Sequence, residues 1–296
     1  MIATDFIYDG QRLSELGFMI CQFDEGGGFI SSSAGSQLTF YKVSANCGRN
    51  YWMAGAKYDM PFETSFSICK ANGTTFAVSE LSYLMRWLNR TDFHDLYIGM
   101  VPSIRTDWFV VDRDEDYIAT KTEKLLNLIE FTDYAYDDIH YRGTFNIDKV
   151  EHRGRIIGLN LNFTSDSPFG YGTPVTHSFN LAANGTETIT DLSDEVGYLY
   201  PDTFSLTCSG AGNLVLTNSI ENRRTAINNV TSGEIITCDN TVSKLTTNKP
   251  SHDILNDFNY NFFRLANTYS NRTNEISSNI ACSINFTYTP RRKVVF

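Results

Sequence analysis

The sequence lacks the features that mark secreted, membrane-spanning and metal-binding proteins. Its 296 residues include six cysteines, but no CxxC pair that would suggest zinc or thiol redox chemistry. The first residues, Met1–Asp5, carry neither the basic stretch nor the apolar run of a signal peptide. No apolar stretch approaches the roughly 20 residues that cross a bilayer. We therefore expect a soluble protein made in a reducing cytoplasm, whose cysteines serve as buried apolar residues.

Positive charge is also in short supply. The chain has 24 Lys and Arg against 34 Asp and Glu, which gives a formal net charge of −10. Its one basic cluster, Arg291–Lys293, is typical of a solvated strand tip. Because tight nucleic-acid binding depends on a basic surface, this balance excludes a protein that binds DNA or RNA tightly.

Motifs of catalysis and phosphate binding are missing or incomplete. The histidines form no HExxH, and no GxSxG nucleophile elbow occurs. The run Gly26–Gly28 is followed by neither Lys-Ser/Thr nor a helix, so it does not predict a phosphate-binding loop. Gly210–Gly212 opens a GxGxxG pattern that fails at Val215, and its place between two strands predicts a hairpin turn. We expect no enzyme and no cofactor, although a triad or carboxylate pair dispersed along the chain leaves no sequence motif.

An acidic run resembles a calcium-binding loop without completing it. Asp112, Asp114, Asp116 and Glu123 occupy positions 1, 3, 5 and 12 of such a loop. Position 6, where the sharp turn needs glycine, is Tyr117. The preceding residues also favour a strand and not a helix. The sequence therefore predicts an exposed acidic hairpin tip and no metal site.

The residues that are abundant favour β-structure. Apolar residues make up 42% of the chain, enough to bury real cores, and the 14% that are aromatic are mostly Phe and Tyr, which favour strands. Leu159–Phe163 and Cys282–Tyr288 alternate between apolar and polar residues with the period of a half-buried strand. Phe204–Cys208 and Leu214–Leu216 alternate on either side of the glycine turn and predict a hairpin.

One helix is predicted in the first half of the chain. Ser79 is placed to cap its N-terminus, with Glu80 beside the positive end of the helix dipole. The helix ends at Asn89. An apolar stripe at positions i, i+3, i+4 and i+7 predicts packing against a sheet, and its members are Leu81, Leu84, Met85 and Leu88.

A domain boundary is predicted between residues 165 and 166. The segment from Ser165 to Pro174 holds two Pro and two Gly, a density typical of a break between domains. Residues 1–165 then form an α+β domain with one helix, and residues 166–296 form a β-sandwich built from short strands. The expected fold class is mainly β.

A sugar-binding second domain is the main alternative from the residues alone. Small sandwiches often bind glycans through stacked aromatic rings, but all three tryptophans precede the boundary. The tyrosines and phenylalanine that could replace them are more often core or subunit-interface residues, and they are Tyr198, Tyr200, Tyr260 and Phe262.

The order of features along the whole chain resembles the distal tail proteins of siphophages. Phe6–Gly10 and Leu13–Phe18 look like the first strand-turn-strand of that family, and Leu84–Arg90 looks like the helix of its N-terminal belt domain. Asp166–Tyr171 looks like the Pro-aromatic turn that closes the belt. The final Phe286–Arg292 is similar to the closing strand of the galectin-like domain.

The resemblance implies a structural component of the tail tip or baseplate. Six belt domains would form a ring that joins the tail tube to the tail-associated hub, and DNA would pass through the lumen. The galectin-like domains would point outward and carry receptor-binding or accessory proteins. No catalytic, cofactor or metal residues are expected, nor any insertion into a membrane. The protein would be made in the bacterial host and reside at the distal end of the virion tail.

Two other readings stay open within this resemblance. Tail-tube subunits share the core fold of the belt domain, although the second domain favours the distal protein. A carbohydrate-binding adhesion module of a phage or phage-like particle is the other alternative. The glycine run at Gly26, the acidic stretch Asp107–Asp138 and the long loop Lys249–Arg272 depart from the family pattern, so the attachment surfaces are left undefined.

Overall fold

The structure is a computed structural model and describes residues 3–23, 36–44, 51–100, 135–240 and 242–293. Strands dominate these residues, which confirms the mainly β fold class. The chain divides into two compact units, Met1–Gly170 with Val294–Phe296 and Tyr171–Lys293. The division falls inside the Pro- and Gly-rich segment 165–174.

The first unit is built on one antiparallel sheet. Its strands are β1 Ala3–Tyr8, β2 Gln11–Arg12, β3 Phe18–Cys21, β6 Glu63–Lys70, β7 His94–Met100, β8 Ala135–His152 and β9 Arg155–Ser165. They pair in the order β2-β1-β7-β8-β9-β6-β3, and a short 3-10 helix, Ser14–Leu16, lies between β2 and β3. The β8–β9 hairpin turns at Arg153 and Gly154, which both have positive φ, as the tightest hairpin turns require.

Two further strands of this unit form a separate ribbon. Strand β4 covers Thr39–Ser44 and β5 covers Tyr51–Lys57, and the two pair antiparallel. Within the described residues this ribbon joins no other strand. A two-stranded ribbon is marginal by itself, so its side chains need another surface to pack against.

The predicted helix is present as α1, Val78–Leu88, but its N-terminal cap was wrongly assigned. Ala77 is the N-cap residue, and Ser79 lies inside the helix. The cause is Glu80, whose carboxylate accepts the Ala77 backbone N–H at 2.8 Å and the Lys70 ammonium at 2.7 Å. The carboxylate gives the otherwise free Ala77 N–H an acceptor and places a negative charge at the positive end of the helix dipole. A hydroxyl side chain at the N-cap is therefore not needed. The last helical residue is Leu88 and Asn89 is the C-cap, in agreement with the predicted end of the helix at Asn89.

The buried face of α1 is rotated from the predicted stripe. Leu84 and Leu88 are fully buried, Leu81 packs partly against the core, and Met85 is 44% exposed. Trp87 is buried in place of Met85. Its indole N–H donates to the Tyr8 carbonyl at 3.1 Å, and its ring stacks on Phe6. Burying the large Trp87 ring, whose N–H has a hydrogen-bond partner, stabilises the helix–sheet contact more than burying the flexible Met85 side chain would.

The second unit is a β-sandwich. One sheet has five strands, β11 Val175–Leu181, β14 Thr203–Cys208, β17 Ile235–Asp239, β18 Lys244–Thr247 and β21 Cys282–Tyr288. The other has four, β12 Gly185–Thr190, β15 Gly212–Asn218, β16 Arg223–Val230 and β20 Thr273–Ser278. Their orders are β11-β21-β14-β17-β18 and β12-β20-β15-β16. Smaller elements of this unit are the pair β13 Gly197–Leu199 with β19 Leu265–Asn267 and the helical turn α2 Ile254–Asp257. The short strands β10 Gly170–Tyr171 and β22 Arg291–Arg292 pair with each other and are not part of the sandwich.

The hairpin predicted around Gly210 is wrong. Strand β14 pairs with β17 and β21 in one sheet, whereas β15 pairs with β16 and β20 in the other. The glycine turn therefore carries the chain from one sheet to the next. The error has a physical origin, because two strands that bury alternate residues in a shared core show the same pattern whether they pair or face each other.

The alternating patterns themselves are confirmed. Leu159, Leu161 and Phe163 are buried on β9, and every second residue of β21 is buried in the sandwich core. Three cysteines, Cys208, Cys238 and Cys282, also lie in that core as apolar residues. Burial, helped by nearby acidic charge, raises the thiol pKa of Cys208 to about 12 and that of Cys238 to about 11. Such thiols are unreactive at neutral pH.

Candidate assembly surface

The arrangement that comes nearest to a catalytic centre is a buried cluster around Glu234 in the second unit. The Glu234 carboxylate is fully buried and contacts His252 Nδ1 at 2.5 Å. It also accepts the Thr247 hydroxyl at 2.5 Å and the Thr231 backbone N–H at 2.9 Å. The other His252 ring nitrogen lies 3.3 Å from the Asp257 carboxylate, without hydrogen-bond geometry.

This cluster is a structural clamp. Burial alone raises the Glu234 pKa, but the hydrogen bonds from His252, Thr247 and Thr231 outweigh burial and leave that pKa lowered. His252 faces a carboxylate on each side, so neither ring nitrogen is directed at a nucleophile. The contacts join the turn before β17, the end of β18 and α2, and so fasten the 249–257 segment to the sandwich.

A second histidine cluster fastens two loops of the first unit. Arg90 pairs with the Asp9 carboxylate at 2.5 Å and with Asp92 at 3.4 Å. His94 contacts the same two carboxylates, at 3.0 Å and 2.8 Å. The Arg90 charge and a hydrogen bond from His94 contribute to a lowered Asp92 pKa, although the backbone hydrogen bond contributes most. The network links the β1–β2 turn to the loop before β7.

The remaining predicted motifs give no site in the described residues. No group of three or more His, Cys, Asp or Glu there is arranged to hold a metal ion. The acidic run Asp112–Glu123 and the glycine run Gly26–Gly28 lie outside the described residues, so both interpretations stay predictions. In the part of the chain that is described, no helix is both long and apolar enough to cross a bilayer.

Two of the candidate sugar-stacking tyrosines form an ordered surface patch in the second unit. Tyr198 and Tyr200 are exposed on and beside β13, so of the two roles expected for them, core or subunit interface, they do not have the core role. The Arg264 guanidinium lies over the Tyr198 ring at 3.8 Å and within 3.3 Å of the Tyr200 hydroxyl. Both ends of the guanidinium are also held by Glu221, at 2.7 Å. Rigid Tyr and Arg side chains of this kind are typical of protein interfaces.

The other two candidates are held by their own chain. Tyr260 is exposed, and its hydroxyl donates to the Leu255 carbonyl at 2.9 Å. Phe262 is partly buried and packs edge-on against Phe258 at 5.0 Å. Phe262 is therefore packed against the core, whereas the Tyr260 ring stays largely exposed.

A shallow recess lies on the outer face of the five-stranded sheet. Its volume is about 420 Å³, and its lining is mostly short hydroxyl and amide side chains with one Asp and one Lys. The lining residues are Thr203, Phe204, Ser205, Thr237, Cys238, Asp239, Lys244, Thr246 and Asn285. Since Phe204 and Cys238 point into the core, no aromatic ring is presented to the recess.

Exposed apolar side chains are grouped on the ribbon formed by β4 and β5. Its apolar side chains face solvent, with Phe40 53%, Val43 52% and Met53 57% exposed. The sequence signal was available but was missed, because Thr39–Ser44 places apolar residues on both faces and so lacks the alternation of a half-buried strand. Exposed apolar side chains grouped on one small element mark an interaction surface.

Tyr41 lies on one face of the ribbon and contacts nearby residues of its own chain. The Tyr41 hydroxyl donates to the Asp59 carboxylate at 2.8 Å, and Lys57 lies over the Tyr41 ring and pairs with Asp59 at 3.2 Å. The opposite face carries Phe40 and Met53, since Phe40 pairs with Ala56 and Lys42 with Met53 across the strands. Exposed apolar side chains therefore lie on both faces, because Val43 is on the Tyr41 face.

The comparisons with known proteins agree with this geometry. Residues 1–105 match a family model described as a phage tail protein N-terminal domain, and residues 169–288 match one described as a phage tail C-terminal domain. No curated protein matches the chain. Among solved structures, the Dit protein of phage SPP1 aligns with a TM-score of 0.60 at 12% identity, covering 97% of this chain and 99% of that one. That structure is described as a paradigm of the hub adsorption apparatus in phages that infect Gram-positive bacteria.

Two matched domains and a mainly β fold define a phage tail protein. The two family models together match most of the chain, and the chain belongs to this phage tail protein family. Its fold is that of the distal tail proteins, which confirms the resemblance predicted from the sequence.

Proposed function

We propose that six copies of this chain form a ring at the distal end of a phage tail tube. The first units make the ring, and the second units lie around its outside. The ring joins the tube to the hub that contacts the host. In this proposal residues 1–165 and 166–296 are separate domains, and the tail protein is distal and not a tube subunit, because the likeness to SPP1 Dit extends over both units.

The observation that carries the proposal is the ribbon. Its Phe40 and Met53 side chains are both more than half exposed, and among the described residues the ribbon joins no other strand. A surface of this kind is satisfied by a neighbouring copy. A contact between two different surfaces closes into a ring when the rotation permits and otherwise gives a fibre.

The second unit supports the attachment role. Its exposed patch of Tyr198, Tyr200 and Arg264 has the composition of an interface anchor, and Glu221 holds it rigid before any partner arrives. We propose that peripheral receptor-binding or accessory proteins bind to this patch. The acidic balance of the chain suits a lumen through which DNA passes without binding.

A structural and non-enzymatic role fits the family to which the chain belongs. Both histidine clusters act as clamps between loops, and the buried thiols have raised pKa values. These features stabilise a scaffold and supply no reaction centre.

The test is cryo-electron microscopy of tail particles that contain this chain. We expect six copies in one ring at the distal end of the tube, with the ribbon between adjacent copies. A position along the tube, a different symmetry, or a ring held by the second units would contradict the proposal.

A further inference from the structure

We propose that Cys21 and Cys69 form a disulfide that closes after the protein leaves the reducing cytoplasm. The bond joins strands β3 and β6 of the first unit, and the oxidant is a small disulfide such as glutathione disulfide. The bond itself is a property of the chain. Only the time of closure rests on the proposed function, because a tail protein leaves its host within a released particle.

The two cysteines are neighbours on one face of the sheet. Strands β3 and β6 pair antiparallel, with Met19 opposite Cys69 and Cys21 opposite Ser67. Residues two apart on a strand point to the same face, so Cys21 and Cys69 are diagonal neighbours across the two strands. Their face is the outer one, because Ile68, between Ser67 and Cys69, is buried in the core on the opposite face.

The two thiols are in contact. Both cysteines are free, and both are half-buried. Their side chains are hydrogen-bonded to each other. Burial raises the pKa of the Cys21 thiol to about 12, and the hydrogen bond with Cys69 adds to the rise. A thiol that keeps its proton at neutral pH reacts slowly, so the reduced pair should survive inside the cell.

The position of β3 allows the small approach that the bond requires. A disulfide has an S–S distance of about 2.05 Å and Cβ atoms about 4 Å apart, so the two sulfur atoms must come closer than hydrogen-bonded thiols. Among the described residues β3 is the last strand of its sheet and pairs with β6 alone. The four residues of β3, Phe18–Cys21, can therefore shift toward β6 without breaking a second ladder of hydrogen bonds.

Access to solvent separates this pair from a second close pair of cysteines. Cys208 and Cys282 lie directly opposite each other on β14 and β21. Their exposed fractions are 0% and 2%, so an oxidant does not reach them while the second unit is folded. Cys21 and Cys69 are half-buried on the outer face of their sheet, where a small disulfide can reach a sulfur atom.

The reaction is a thiol–disulfide exchange in two steps. One cysteine thiolate attacks a sulfur atom of glutathione disulfide, forms a mixed disulfide and releases one glutathione. The second cysteine then attacks the mixed disulfide, which forms the bond between Cys21 and Cys69 and releases the other glutathione. The two cysteine thiols lose two protons and two electrons, and glutathione disulfide takes up both to give two glutathione thiols.

The bond closes a covalent loop that contains the ribbon. Strand β3 precedes the ribbon in the sequence and β6 follows it, so the loop runs from Cys21 to Cys69 and includes β4 and β5. A cross-link across such a long segment restricts the unfolded chain and so stabilises the folded unit. It also fastens an edge strand that, in the part of the chain that is described, one neighbouring strand holds by hydrogen bonds.

The test is mass spectrometry of the full chain, purified in reductant and then transferred to glutathione disulfide. Free thiols are blocked with N-ethylmaleimide during denaturation, before digestion, so that no exchange follows. We expect one linked pair of fragments, carrying Cys21 and Cys69, in most of the chains, and its loss on adding dithiothreitol. Cys47→Ser is the matched control, since it removes the other cysteine of the first unit and should leave the link unchanged. An absent link, or a link from either residue to Cys47, would overturn the proposal.

Thermal stability is a second readout. In calorimetry of the full chain, the transition of the first unit is the one that Leu84→Ala lowers. Oxidation should raise the temperature of this transition by about 5 °C or more in the parent chain. It should leave the transition unchanged in Cys69→Ser and in Cys69→Ala. A link that forms without this gain would refute the stabilising role.

The time of closure is tested in cells that produce the tail. Cells quenched with N-ethylmaleimide before lysis should contain the reduced chain, and released tail particles should contain the linked one. A link already complete before lysis would overturn the proposed timing. Cryo-electron microscopy of the same tails keeps the two proposals apart. A distal ring without the link leaves the proposed function standing, whereas a chain found elsewhere contradicts that function but not the bond measured in the purified chain.

Discussion

The two units differ in how their exposed apolar side chains are placed. The second unit buries Glu234, Asn218 and Asn274 with hydrogen bonds inside the unit, and its exposed apolar side chains, such as Val242 and Leu255, lie on different segments. The first unit leaves apolar side chains of its ribbon and of α1 in solvent. Exposed apolar side chains that are grouped on single elements mark an interaction surface more strongly than scattered ones do. Substitutions in the two regions should therefore differ in what they damage.

The largest difference should come from comparing two phenylalanines. Phe286 is fully buried in the sandwich core, so Phe286→Ala should destabilise folding by roughly 3–5 kcal/mol. Phe40 is half exposed on the ribbon, so Phe40→Ala should leave the unfolding free energy within about 0.5 kcal/mol and weaken assembly instead. Urea unfolding and particle mass measure the two effects. A ribbon variant that unfolds as readily as the core variant would refute the contrast.

Neighbouring residues on α1 offer the same contrast at closer range. Leu84 is fully buried and Met85 is exposed. Leu84→Ala should cost roughly 2–5 kcal/mol of stability, while Met85→Ala should cost less than about 0.5 kcal/mol. Thermal unfolding of the two variants, with Ser79→Ala as a surface control, checks this. Equal losses would mean that Met85 belongs to the core, as the sequence predicted.

The Glu234 clamp should show how the second unit depends on pH. Glu234→Gln keeps the shape but removes the charge that His252 faces, so it should cost roughly 1.5–3 kcal/mol near neutral pH. Because the folded-state pKa of Glu234 is lowered, its contribution is complete above the ordinary carboxyl pKa and is lost as the pH falls through the lowered value. The gap between the parent and Glu234→Gln should therefore narrow on acidification. A gap that widens below pH 4 would contradict the lowered pKa.

The sequence predicted strands better than their partners. The alternation in Leu159–Phe163 and Cys282–Tyr288 reports burial directly, so these strands were found. The connection at Gly210, which leads from one sheet to the other, was predicted to be a hairpin turn. Burial of alternate residues does not show which sheet a strand joins. The choice of Trp87 over Met85 depended on a hydrogen bond to Tyr8, which is distant in the sequence. The exposed ribbon was missed because its apolar residues lie on both faces of β4 and so lack the alternation of a half-buried strand.

The smallest effect expected is on glycan binding by the second unit. Sugars bind most firmly against a free aromatic face, and Arg264 covers one face of the Tyr198 ring at 3.8 Å. The recess on the five-stranded sheet presents hydroxyls and amides but no ring, so water competes well for the same hydrogen bonds. We therefore expect weak binding or none when the full chain is titrated with a panel of glycans and followed by calorimetry. Tyr198→Ala and Asn285→Ala test the patch and the recess separately, and neither should change the result. A saturable signal in the micromolar range that either variant abolishes would make the second unit a sugar-binding module. The first unit would then serve assembly, and the second unit would recognise a ligand and not only carry other proteins.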